Sequence, residues 1–132
     1  MTVFVDTSAL YAVLDAADAQ HGPADQVWRD LLGDDVPLLT HSSVVVEASA
    51  LVQARLGMDA VRVLHGDVLP LLSVRFVDAS LHRQAVTALL ASGRRSLSLV
   101  DWTSFELMRN ESLTEAFAFD DDFTRQGFTT LP

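Results

Sequence analysis

Asp6, Glu47, Asp101 and Asp120 are the residues of this chain best suited to chemistry. Asp6 closes the first apolar run, VFVD, and Glu47 lies inside the apolar helical stretch SSVVVEASALVQARLG. Asp101 follows SLSLV, and Asp120 follows AFAF. An α/β chain would bring these positions to one edge of a parallel sheet, and ligands of open parallel sheets bind beyond the carboxyl ends of the strands. Carboxylates gathered there repel one another at neutral pH unless something positive joins them. Hard divalent cations with oxygen ligands fill that role. The pattern therefore suggests a Mg²⁺ or Mn²⁺ site and, with it, phosphodiester chemistry.

The elements that must position these acids alternate between short apolar runs and amphipathic stretches, the signature of a sheet with crossover helices. Val3 to Asp6 reads as the first strand, Ser8 to Asp15 as a short helix, and Ala24 to Leu32 as a second helix after the break at His21-Gly22-Pro23. Pro37 to Thr40 reads as a strand, and the helix from Ser43 to Leu56 stops at Gly57, a good C-cap residue. A helix is expected over Asp59 to Leu69, limited by Pro70, then a strand over Ser73 to Val77 and a helix over Leu81 to Leu90. Ser98 to Met108 is expected to begin extended and become helical near Asp101. Ala116 to Phe119 reads as a strand, Asp121 to Gln126 as about one helical turn, and Gly127 to Leu131 as an edge strand. With no linker, repeat or low-complexity segment, one domain over residues 1–132 is the expectation.

Each acid also has an ordinary structural alternative. Asp6, followed by Thr7 and Ser8, can be a helix N-cap, and so can Asp101, with Ser98 sharing the task. Glu47 has Val44, Leu51 and Ala54 as its helical neighbours, an apolar face that directs the carboxylate toward the core or a cleft. Asp120 opens the run Asp120-Asp121-Asp122, which reads equally as a solvated turn at a helix N-terminus. By periodicity Asp120 and Asp122 face one cleft while Asp121 faces solvent. The four histidines, His21, His41, His65 and His82, show no metal-ligand spacing and read as surface or half-buried structural residues. Trp28, Trp102 and the phenylalanines read as core.

Bulk composition bounds the remaining choices. The chain has 132 residues, of which 49% are hydrophobic, as in a compact folded domain. Cysteine is absent, which removes disulfides, zinc–thiolate sites and thiol chemistry and fits a reducing cytoplasm. The N-terminus lacks the basic region of a signal peptide, and no uncharged stretch is long enough to span a bilayer. All nine basic residues are arginine. A chain without lysine cannot build a Walker-type phosphate site, a receiver domain or a haloacid-dehalogenase site, each of which uses one. A net charge of −9 argues against broad non-specific nucleic-acid binding, so a nucleic-acid substrate needs local arginines, a metal or a partner.

In order and context the acids resemble those of the PIN-domain ribonucleases, especially VapC-type toxins of toxin–antitoxin pairs. VFVDTSAL, VVVEASAL, LSLVDWTSFELM and AFAFDDDFTRQGF carry the resemblance, which spans nearly the whole chain. It implies a single PIN-like domain, a Rossmann-like parallel sheet flanked by helices. Asp6, Glu47, Asp101 and Asp120 match the family's acidic positions and would hold Mg²⁺ or Mn²⁺. Asp122 matches a variable position and is a further candidate ligand. Thr7 and Ser8 match the small hydroxyl residues after the first acid, with Ser8 the better placed to position metal or water. Some relatives carry an acid where this chain has Gly93-Arg94-Arg95, and Arg94 and Arg95 become candidates for positioning substrate.

The activity so implied is hydrolysis of single-stranded RNA, leaving a 5′-phosphate, by a water that the metal acidifies. The implied partners are a small, basic antitoxin and a second copy of the chain. Two rival readings stand beside it: a non-catalytic interaction module that keeps the acids as caps and surface charge, and a related DNA-directed nuclease.

Overall fold

The computed structural model describes residues 1–132 and contains one five-stranded sheet, in the order β3-β2-β1-β4-β5, with every neighbouring pair parallel. The strands are β1 (Val3–Val5), β2 (Leu38–His41), β3 (Ser73–Arg75), β4 (Glu115–Phe117) and β5 (Thr129–Leu131). The α-helices are α1 (Thr7–Leu14), α2 (His21–Gly33), α3 (Ser42–Leu56), α4 (Met58–Val63), α5 (Ala79–Ser92), α6 (Leu99–Asn110) and α7 (Asp121–Arg125). The expected α/β class and parallel sheet are both present. No helix is long and apolar enough to cross a membrane.

Val3, Phe4 and Val5 have no exposed surface. Such continuous apolarity suits a central parallel strand covered on both faces, and β1 does lie between β2 and β4. The chain adds β2 and then β3 on one side of β1 before crossing to place β4 on the other. The carboxyl ends of β1 and β4 therefore form the topological switch point, where doubly wound folds open a crevice. Asp6 follows β1 and Asp120 follows β4, so strand order alone puts two of the four acids there. The edge strands β3 and β5 are short and partly exposed, which limits their use as templates for further pairing.

Beneath the crevice the core is aromatic. Phe123 lies 6.0 Å from Phe4 and meets Phe105 edge-on at 5.1 Å, while Trp102 meets Phe105 edge-on at 5.4 Å. Offset and edge-on pairs of this kind add to simple area burial. Phe76 departs from the expected core set, being 78% exposed just after β3.

Two segments differ from expectation in type and one in extent: the break expected at His21-Gly22-Pro23 is instead the first turn of α2, where the N–H that Pro23 lacks would have no helical partner. The helix expected over Asp59 to Leu69 is instead α4, a π-helical turn at Leu64–Val68 and a 3₁₀ turn at Leu69–Leu71. Pro70 lacks an N–H and crowds the residue before it, so a regular α-helix cannot pass through. The irregular turns keep Leu64, Val68 and Leu69 buried. The second difference in type is at SLSLV, which forms no strand. Ser98 caps α6 and Leu99 and Val100 are already helical, so Asp101 lies in the first turn of a helix and not at a strand end. The cause is a capping box, with Ser98 and Asp101 three residues apart at the helix start.

Candidate active site

Asp6 is held from both sides. Its backbone N–H donates to the Phe117 carbonyl at 3.0 Å, which extends the β1–β4 ladder by one residue. Its carboxylate Oδ2 accepts from the Ser8 N–H at 3.2 Å and the Ser8 Oγ at 2.7 Å. Asp6 is thus an N-cap of α1, as the ordinary reading had it, yet it is 4% exposed. Exposed caps need no such burial. Ser8 Oγ also accepts the Phe119 N–H at 3.0 Å, so one hydroxyl joins the loop after β4 to the Asp6 carboxylate. That loop carries Asp120 on α7's threshold, at the N-cap position, but its side chain makes no cap hydrogen bond.

Asp101 works within its own helix. Its Oδ2 accepts from the Ser98 N–H at 2.9 Å and the Ser98 Oγ at 3.1 Å, while its N–H donates to Ser98 Oγ at 3.2 Å. Oδ1 has no protein partner among these bonds. Glu47 corrects the core reading: it is exposed, and the cleft alternative stands. It lines an open cavity of about 340 Å³ with Ser42, Ser43, Val46 and Val100, the last adjacent to Asp101. Asp122 is half-buried and lies 3.7 Å from Arg125, whereas Asp121 is exposed, as periodicity had it. Arg94 and Arg95 are exposed in the loop between Gly93 and Ser98 and pair with no carboxylate.

Electrostatics show which acids the fold brings together. Burial pushes the Asp6 carboxyl up to about 7; the two Ser8 hydrogen bonds oppose this, and the charges of Asp120 and Asp101 add to it. The Asp120 carboxyl is also raised, first by partial loss of water around it and then by Asp101, Asp122 and, more weakly, Glu47, while hydrogen bonding with Asp6 opposes the rise. Asp6, Asp101 and Asp120 therefore feel one another, with Glu47 and Asp122 at the margin. None of Asp6, Glu47, Asp101 or Asp120 pairs with an arginine or histidine. No three acids or histidines stand close enough together to hold an ion as they are placed. Mutual repulsion acts in that direction.

Two buried polar atoms lack a protein partner, Thr7 Oγ1 and Trp102 Nε1, on the residues that follow Asp6 and Asp101 in the chain. An all-carboxylate donor set, with members raised in pKa and no cationic side chain to balance them, fits a hard divalent cation.

His41, which reads from sequence as a surface or half-buried structural residue, is structural and wholly buried. It caps α3, accepting the Val44 N–H at Nδ1, and its Nε2 meets Ser104 Oγ at 2.8 Å. Burial lowers its pKa to about 4, so the ring is neutral under ordinary conditions. A lone histidine between LLT and SSVVV gives no sequence signal for this; its partner lies 63 residues away.

A model of the PIN domain matches residues 3–128. Over 130 residues the chain is 35% identical to the 23S rRNA-specific endonuclease VapC20 of Mycobacterium tuberculosis, covering 98% of this chain and 97% of that protein. The crystal structure of Mycobacterium tuberculosis VapC20, described as a sarcin-ricin loop cleaving toxin, matches with a TM-score of 0.85 at 34% identity over 96% of each chain. VapBC2 from Rickettsia felis, solved with a DNA fragment from its promoter, matches with a TM-score of 0.72 at 13% identity, over 98% of this chain and 97% of that one. At that identity the likeness concerns the fold alone.

Proposed function

The chain belongs to the PIN-domain family, and from that premise we propose that it is a VapC-type toxin, an endoribonuclease dependent on Mg²⁺ or Mn²⁺. The observation that carries the reading is Asp6. It is buried at the switch point, raised to about 7, and grouped with Asp101 and Asp120 without any cationic side chain. A carboxyl kept in that condition costs the fold stability, and such groups concentrate at functional sites. Asp6, Asp101 and Asp120 would hold the cation, with Glu47 and Asp122 as outer candidates. When bound, the cation supplies Lewis acidity, acidifying water and stabilising negative charge on phosphoryl oxygens.

The chain's own residues provide the rest. Ser8 fixes the Asp6 carboxylate and ties it to the loop before Asp120. Ser98 holds one oxygen of Asp101 and leaves the other for the site. Arg94 and Arg95, without carboxylate partners, meet the phosphates of the strand and offset the repulsion of a chain with net charge −9. Likeness to VapC20, a 23S rRNA-specific endonuclease and sarcin-ricin loop cleaving toxin, supports ribosomal RNA as the substrate class, cleaved in a loop. A small basic antitoxin would neutralise the acid cleft, the active species would be a homodimer, and the protein would act in the cytoplasm.

The test is a panel of single-stranded RNA, double-stranded RNA, single-stranded DNA and purified ribosomal RNA, each incubated with Mg²⁺, Mn²⁺ or EDTA. RNA cleaved to 5′-phosphate ends only with a divalent cation, with DNA left intact, is the expected result. Cleavage of DNA in preference to RNA would favour the DNA-directed reading. No cleavage of any substrate would favour the non-catalytic module.

A further inference from the structure

Asp6, Glu47, Asp101 and Asp120 ride on separate elements, and only the first and last share a strand ladder through β1 and β4. Something else must set the spacing of α3, which carries Glu47, against α6, which carries Asp101. One side chain that bonds to both helices is His41, through the Val44 N–H and Ser104 Oγ. It is wholly buried, as are Ser104, Phe4 and Phe123, which surround it or follow in the same stack.

The hydrogen bonds around the ring have only one self-consistent assignment. The Val44 N–H can only donate, so Nδ1 accepts it at 3.3 Å and carries no proton. The neutral ring's proton is therefore on Nε2 and points to Ser104 Oγ at 2.8 Å. Ser104 in turn donates its own proton to the Val100 carbonyl at 3.0 Å. The imidazole also stacks on Phe4 at 5.7 Å, and Phe4 stacks on Phe123 at 6.0 Å.

Each of these contacts lies close in sequence to an acid. Ser104 is three residues after Asp101 on the same helical face, and His41 begins the helix that carries Glu47. Phe4 is two residues before Asp6, and Phe123 is three after Asp120. One buried ring thus touches, directly or through one aromatic neighbour, all four acid-bearing elements.

We propose that His41, with Ser104, is a positioning residue of the nuclease site: it clamps α3 to α6 and sets where Glu47 and Asp101 stand relative to Asp6 and Asp120. This rests on the nuclease reading above. It touches neither substrate nor metal.

Four variants separate the clamp from simple stability. Ser104→Ala removes the acceptor and leaves the α3 cap intact. His41→Asn retains a cap acceptor but cannot reach Ser104. His41→Gln places an amide nitrogen near the position of Nε2. Leu31→Val, on α2, is a core control for loss of stability. RNA cleavage and Mn²⁺ affinity by calorimetry are read for each, with Tm alongside.

Ser104→Ala and His41→Asn are expected to lower kcat by about 10- to 100-fold, the range seen when a supporting partner of a metal site is lost, with KM changed less than about threefold. Mn²⁺ affinity should fall with kcat. The double variant should lose no more than either single one, because both break the same link. His41→Gln should recover part of the rate, and Leu31→Val should retain it at a comparable loss of Tm. Wild-type kcat and Mn²⁺ affinity in Ser104→Ala, or losses that merely track Tm as in Leu31→Val, would overturn the clamp. If the wild type binds Mn²⁺ but cleaves no RNA, the nuclease reading falls and the clamp is decided on Mn²⁺ affinity alone. A wild type that binds no Mn²⁺ overturns both.

Discussion

Asp6→Asn is expected to be inactive and yet, at neutral to alkaline pH, more stable than the parent. Asparagine has nearly the same shape, and its Oδ1 can accept the Ser8 hydrogen bonds that Asp6 Oδ2 now takes. It cannot supply a negative charge to a cation, so cleavage should fall by more than about 100-fold, beyond the loss of a supporting partner. The stability gain follows from the raised carboxyl. In the unfolded chain Asp6 titrates near its ordinary value of 3.8, and in the fold near 7. Between those values the folded state holds more protons than the unfolded state, so stability falls as pH rises across the window. Above about pH 7 the full cost applies, on the order of 4 kcal/mol as an upper figure for the metal-free protein. Asp6→Asn should show almost no advantage at pH 4 and several degrees of higher Tm at pH 8, read by calorimetry or circular dichroism. Asp101→Asn should lose cleavage as well but gain no stability, since it weakens the α6 capping box by about 0.5–1 kcal/mol. Asp121→Asn, exposed, should change neither property, and Asp122→Asn should fall between.

Divalent cation binding should release protons near neutral pH and almost none at pH 9. A carboxyl must be ionised to ligate a hard cation, and Asp6 still holds its proton in much of the population at pH 6.5. The Asp120 carboxyl is also raised, by partial burial and then by the charges of Asp101 and Asp122, and it is hydrogen-bonded to Asp6, so the release is assigned to the pair and not to one residue. Calorimetric titration with Mn²⁺ in buffers of different ionisation enthalpy should give up to about one proton per ion at pH 6.5. The same cation should raise Tm most at pH 8, where the metal-free protein bears the full cost of the ionised cluster. Equal proton release at pH 6.5 and pH 9 would mean that the raised acids are not the ligands.

Much of the architecture was legible because the strongest local signals agreed with the tertiary structure. VFV is apolar without alternation and became the central strand, and the acids ending the first and fourth strands fell at the switch point that the topology creates. Gly57 ends α3 at φ +90, a conformation that L side chains rarely adopt, so its reading as a stop rested on steric grounds that survive any context. The resemblance to PIN domains rested on the order of the acids, and the family model matches residues 3–128.

What was not legible came from competition between local signals and from long-range contacts. LSLV satisfies a buried strand pattern, but the Ser98–Asp101 capping box outweighs it and starts α6 earlier. That serine-to-acid spacing was the signal available in the sequence. Glu47 was hard to orient because α3 is apolar on more than one side: Val44 is buried, while Val46, next to Glu47, is 69% exposed. Helical periodicity cannot choose a face under those conditions. His41 shows the limit most clearly. Its neighbours in the chain say nothing of Ser104, and only the packed fold makes it the residue beneath the acids.

The most direct test of the site is to locate the cation. Crystals of the wild-type chain and of Asp6→Asn, soaked in Mn²⁺ at pH 8, would be compared by anomalous scattering. The expected result is Mn²⁺ bonded to carboxylate oxygens of Asp6, Asp101 and Asp120 in the wild type, with the side chains rotated together, and none there in Asp6→Asn. Mn²⁺ bound elsewhere in the wild type, or bound equally in Asp6→Asn, would contradict the assignment of these acids as one metal site.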